Sequence, residues 1–171
     1  AGHGEVSEEG PVDEITISQL TKEWKEQGYK IEYLTPQQGF PEKGVPQDAA
    51  AVAVLAARNQ FSDKEKEVLT NYVRGGGALL VALDVNASGA QSLLAPFNLE
   101  YKATPVHSEQ HFPPTPQNLV ITSYTKHPIT QQLQELPKRA RFTLFPQSGY
   151  FVANEQKEAQ TTFIARTTDQ S

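Results

Sequence analysis

The chain has 171 residues, 37% of them hydrophobic and 20% charged, with a net charge of −5 and a pI near 5.4. An acidic balance argues against general affinity for nucleic-acid phosphates, and no apolar run approaches the ~18 residues of a membrane span. Cysteine is absent, which excludes disulfides, thiolate metal sites and a cysteine nucleophile.

Residues 1–12 are glycine-rich and acidic and predict a loop. Ile17, Leu20 and Trp24 recur at helical spacing, with Lys22, Glu23, Lys25 and Glu26 on the other face. This predicts a helix over 15–27 that Gly28 terminates, with Trp24 in the core. Tyr29 to Leu34 predicts a short strand. Residues 35–48 hold Pro36, Pro41 and Pro46 and predict irregular structure.

A βαβ unit follows. Ala51 to Ala56 is a strand without a polar side chain. Ser62 and Glu65 have the spacing of a helix capping box, and Val68, Leu69, Tyr72 and Val73 form the apolar stripe of the helix they open. Gly75-Gly76-Gly77 closes that helix. The triplet follows a helix and precedes a strand, the reverse of a phosphate-binding loop, so it marks a helix stop. Ala78 to Leu83 is the second strand and ends at Asp84. Two continuously apolar strands predict a parallel sheet covered on both faces.

Beyond it, Ser88 to Ala95 predicts a short helix, Phe97 to Tyr101 a strand, and the proline-rich 104–116 an excursion. Leu119 to Thr122 predicts a strand. His127-Pro128-Ile129-Thr130 opens a short helix with proline at its first position, with Leu133 and Leu136 facing inward. Arg141 to Phe145, Tyr150 to Ala153 and Thr161 to Ala165 alternate and predict later, antiparallel edge strands.

Candidate chemistry is sparse. In open parallel sheets ligands bind beyond the carboxyl ends of the strands, which nominates Arg58 and Asn59 after the first strand and Asp84 and Asn86 after the second. Asp and Asn also form turns by bonding their own backbone. His3 and Glu5, two apart, are a pair that could move a proton or hold a ligand. His127 is the remaining candidate. His107, Glu109 and His111 have a metal-like spacing, but the prolines around them argue against the helix it would need, and no third ligand is evident. No G-x-S-x-G turn is present. No catalytic residue, metal or cofactor is assigned.

Several segments taken in order resemble one family. Gly2-His3-Gly4-Glu5, Gln27-Gly28-Tyr29-Lys30-Ile31, Val45-Pro46-Gln47-Asp48-Ala49, Phe61-Ser62-Asp63-Lys64-Glu65 with Gly76-Gly77, Leu79 to Asp84, and Tyr124-Thr125-Lys126-His127-Pro128-Ile129-Thr130 are similar to segments of auxiliary proteins of gliding-motility-type ABC transport systems. Ala57-Arg58 departs from the Gly-Pro usual there.

The resemblance implies a single α/β domain over 1–171: a three-layer sandwich with a mostly parallel central sheet, flavodoxin-like or class I glutamine-amidotransferase-like, and similar to domains of intraflagellar-transport proteins. It also implies a first strand just before Ala1 and further sequence after Ser171, hence a piece of a longer, membrane-anchored protein.

By the same resemblance the expected role is non-catalytic binding or scaffolding on the extracytoplasmic (periplasmic) side of a bacterial inner membrane. ABC permease and ATPase subunits or cell-envelope components are the expected partners, and nucleic acid is not. The competing expectations are a hydrolase using His3, Glu5, Asp84 and His127, and a carbohydrate-binding module with Tyr101, Phe112 and Tyr150 lining a groove.

Overall fold

The two apolar runs that frame the capping box come together side by side. In the computed structural model, which describes residues 2–8, 16–153 and 160–167, β1 (Ala51–Leu55) and β2 (Ala78–Ala82) pair in parallel, from Ala51 opposite Ala78 to Leu55 opposite Ala82. The helix between them, α2 (Asp63–Arg74), starts as its sequence predicts. The Ser62 hydroxyl accepts from the Glu65 N–H at 3.3 Å, and the Glu65 carboxylate accepts from the Ser62 N–H at 2.8 Å. Leu69 is buried on its inner face, with Val68 and Tyr72 packed beside it.

The glycine triplet serves two separate needs. Gly76 adopts φ +97°, a left-handed conformation open to glycine at no steric cost. At Gly77 a Cβ would lie 2.3 Å from the Tyr72 ring, whose hydroxyl donates to the Ala49 carbonyl.

The chain divides into two compact units, residues 1–96 and 97–171. The first also contains α1 (Ser18–Glu26), which ends at Gly28 with φ +89°. Trp24, expected in the core, is half-buried, while Thr21 is buried with its hydroxyl on the Ile17 carbonyl. The core of this unit is Phe40, Val52, Val54, Ala57, Phe61, Leu69, Ala90 and Leu93.

Among the described residues of the second unit each sheet is two-stranded and antiparallel. β3 (Leu99–Lys102) pairs with β7 (Tyr150–Ala153), β4 (Asn118–Ile121) with β6 (Thr143–Pro146), and β5 (Ser123–Tyr124) with β8 (Ala165–Arg166). The short helix α3 (Gln131–Glu135) is capped at its C-terminal end by the Arg141 guanidinium, which donates to the Gln134 and Leu136 carbonyls.

The flavodoxin-like or amidotransferase-like three-layer sandwich does not form. Among the described residues β1 and β2 are the one parallel pair, and no mostly parallel central sheet is built. The physical reason lies in the strands. Val52 and Val54 are buried while Ala51 and Ala53 are exposed, and in β2 Leu80 is 51% exposed. The runs are covered on one face, with small alanines making up much of the other, and a run of apolar letters does not distinguish that from burial on both faces.

Other expectations shift as well. Tyr29 to Leu34 enters no ladder, and the short helix expected at Ser88 to Ala95 is a 3₁₀ helix over Gly89–Leu93. Thr161 to Ala165 contributes only its last residue to β8, and Leu136 is exposed. The expected loop at 9–12 and the chain end at 168–171 lie outside the described residues.

Candidate functional site

Past β1 the backbone turns sharply. Ala56 keeps the ladder by donating to the Ala82 carbonyl at 3.0 Å but has φ +51°, strained for a residue with a Cβ. Ala57 is fully buried, and its carbonyl accepts from Gly89 at 2.7 Å. Gly89 must be glycine, because a Cβ there would stand 2.2 Å from the Asn59 carbonyl oxygen.

The turn presents the N–H groups of Arg58 and Asn59 in one direction. Both donate to the His3 carbonyl at 2.8 Å, and further along Val6 donates to the Leu55 carbonyl at 3.1 Å. Segment 2–8 is thereby laid across the carboxyl end of β1.

The His3 side chain completes the arrangement. Its ring stacks on Phe61, with centroids 3.9 Å apart and planes 15° from parallel. Nδ1 lies 3.3 Å from Glu5 Oε1, and Nε2 lies 3.2 Å from Glu65 Oε2. Glu5 Oε2 also accepts the N–H groups of Gly2 and His3, at 3.0 and 2.9 Å.

Burial pushes the Glu5 carboxyl up, but backbone N–H donors, including those of Glu5, His3 and Gly2, outweigh it and leave it below the ordinary carboxylate range. Glu65 behaves alike. Burial raises it, and the Ser62 hydroxyl and N–H together with His3 bring it down further. At the far end of the segment, Glu8 accepts from Lys25 Nζ and the Tyr33 hydroxyl, each at 2.7 Å. Those bonds, with one from Thr21, hold its carboxyl at about 2.

The structure thus joins four of the expected site residues, His3, Glu5, Arg58 and Asn59, and adds Glu65 and Phe61. Sequence reasoning assigned Glu65 to the helix cap alone. Its contact with His3 spans 62 positions, and no spacing rule points to it.

Asp84 and Asn86 follow the adjacent parallel strand but turn inward on themselves. Asp84 Oδ1 accepts the Asn86 N–H at 2.8 Å, the local turn that competes with any binding role. His127 belongs to the second unit, where Nδ1 accepts the Ile129 N–H at 3.2 Å and caps the turn Pro128–Thr130. His111 Nδ1 faces the carbonyls of Ser108 and Glu109, at 3.0 and 3.1 Å, and among the described residues no three potential ligands are grouped for a metal. Tyr101 is buried against Phe151, so it does not line an open groove with the exposed Phe112 and Tyr150.

Chemically, the cluster is an imidazole between two carboxylates. The Ser62 hydroxyl does not give its proton to that imidazole: it donates to Glu65 Oε2 at 2.7 Å and accepts from the Glu65 N–H. Two clefts, of about 580 and 530 Å³, are lined by residues around α1 and by residues 31–46, and neither includes His3, Glu5 or Glu65.

A family model described as an ABC-type uncharacterized transport system matches residues 1–108. The chain belongs to that ABC-type transport family. The matched stretch holds His3, Glu5, Arg58, Asn59, Glu65, Asp84 and Asn86 and leaves out His127. No curated protein matches this family member. Among solved structures, one that matches is the mmIFT52 N-terminal domain, at 14% identity and a TM-score of 0.58, over 83% of this chain and 64% of that one. The likeness concerns fold alone, and the chain spans less than two thirds of that relative's length. No helix among the described residues of this ABC-type family member is long and apolar enough to cross a membrane.

Proposed function

We propose that the chain is a non-catalytic binding and scaffolding domain of an auxiliary component of an ABC-type transport system. The family match over residues 1–108 carries this reading. The state of the site supports it. His3, Glu5 and Glu65 are spent on holding segment 2–8 against α2, and Asp84 is spent on its own turn.

On this reading the domain works on the extracytoplasmic side of a bacterial inner membrane, attached through segments outside this chain. It contacts the permease of a gliding- or secretion-related transporter or an envelope component. It does not hydrolyse ATP, since the sequence holds no Walker motif. The test is co-purification of the permease and ATPase with the tagged full-length protein from its native membrane. Recovery of both supports the reading, and recovery of neither under crosslinking rejects it.

One observation favours a second reading, a hydrolase: His3 stands between two carboxylates in a geometry that can relay a proton. Turnover of an ester, glycoside or amide that disappears in His3→Ala would establish it and displace the scaffold reading.

A further inference from the structure

We propose that residues 125–142 form a contact surface for membranes that carry anionic phospholipid headgroups. The segment is a closed excursion between β5 and β6. At its neck the Tyr124 and Thr143 hydroxyls lie 2.7 Å apart. Within it, the Thr130 hydroxyl donates to the Thr125 carbonyl at 2.7 Å, and the Arg141 guanidinium holds the Gln134 and Leu136 carbonyls. Both arms are thereby tied to the two ends of α3.

Polar bonds hold this shape and leave its apolar side chains in water. Thr130 is the one buried residue of the excursion. Ile129 is 71% exposed and Phe142 51%, and Leu136 is exposed as well. Leaving such side chains in water costs free energy that burial against an apolar phase recovers.

The charges favour the same partner. The excursion holds Lys126, Lys138, Arg139 and Arg141 against Glu135 alone, on a chain whose net charge is −5. Arg141 is committed to α3. Lys126, Lys138 and Arg139 are exposed and make no ion pair among the described residues. At physiological salt the acidity of the rest of the chain is screened beyond about 8 Å, so the local excess of cations decides what approaches.

Cations beside large apolar tips suit headgroups and the acyl boundary together. A stable protein interface takes roughly 20–30 residues a side, more than the whole excursion, whereas a lipid surface needs no matching shape. The contact is weak and reversible, and it orients a domain already held near a membrane. That orienting role rests on the scaffold reading; the binding itself does not.

Co-sedimentation tests the 171-residue chain with vesicles of phosphatidylglycerol and phosphatidylcholine in equal parts, and of phosphatidylcholine alone. The chain is expected to sediment with the first and to stay in solution with the second. Lys138→Gln combined with Arg139→Gln is expected to weaken binding more than tenfold, at about fivefold for each cation. Ile129→Ser is expected to weaken it severalfold. Lys22→Gln combined with Lys64→Gln, at exposed cations of α1 and α2, is the control and is expected to change little.

Equal binding to both vesicles, binding to neither, or an equal loss in the control pair overturns the proposal. Without vesicle binding, self-association that disappears in the Lys138 and Arg139 double variant assigns the surface to a second copy, and retention on polyglutamate assigns it to an acidic protein; either outcome overturns the lipid contact. Such a failure leaves co-purification of the permease and ATPase untouched, so the two proposals fall separately.

Discussion

The two units bury their apolar side chains with unequal success. In residues 1–96 a helix and two adjacent strands of the same stretch help enclose a core of eight residues, among them Leu69 and Leu93, both nearly inaccessible. In residues 97–171 the strands pair two by two, and Phe112, Ile129, Leu136, Phe142, Leu144, Phe145, Tyr150, Phe151 and Val152 are all exposed, against Tyr29, Tyr33 and Leu80 in the first unit. The lesson is about layers. A βαβ unit brings its own cover, because the crossover helix packs on the strands it connects. An isolated antiparallel pair has no such cover and leaves a face open.

The largest effect should separate the two units. Leu69→Ala or Leu93→Ala is expected to cost about 2–5 kcal/mol in denaturant unfolding, the range for a large buried side chain cut to a methyl. Phe151→Ala, at a ring 41% exposed, is expected to cost well under half of that. Equal losses would break the comparison.

Next, Gly89→Ala drives a Cβ into the Asn59 carbonyl and displaces the turn after β1, at about 1–3 kcal/mol. Its amide-exchange signature is expected at Arg58 and Asn59 before anywhere in the second unit. Smaller still, Ser62→Ala removes both the cap of α2 and a donor to Glu65, for about 1 kcal/mol.

The smallest effect concerns acid. The Glu5 and Glu65 carboxyls sit below their ordinary range, so their contribution to stability is present above the unfolded value, about 4.3. It is lost as pH falls through the lowered folded values. Thermal melts of Glu5→Gln should show a shallower acid limb than the unaltered chain, and an identical limb would remove Glu5 from the account.

Some of the fold was legible because its causes are local. The capping box at Ser62 and Glu65 and the helix stops at Gly28 and Gly76 each depend on neighbours within a few positions, and each stands where predicted. The strand expected at Tyr29 to Leu34 was not decided locally, since a strand exists only where a partner offers its backbone. The site divides in the same way. His3 and Glu5 were visible as a pair, and Arg58 and Asn59 by their place after a strand, whereas Glu65 and Phe61 were invisible as their neighbours.

By itself the sequence determined the capped helix α2 between two apolar runs, the ends of α1 and α2, and a loop start bearing His3 and Glu5, because these rest on propensities and hydrogen bonds a few residues long. The tertiary structure alone decided how many faces of β1 and β2 are covered, that the sheets of the described residues are two-stranded, and that His3 meets Glu65 across 62 positions. Those outcomes depend on which surfaces reach one another after the chain has collapsed, and a linear pattern of apolar letters carries no record of that.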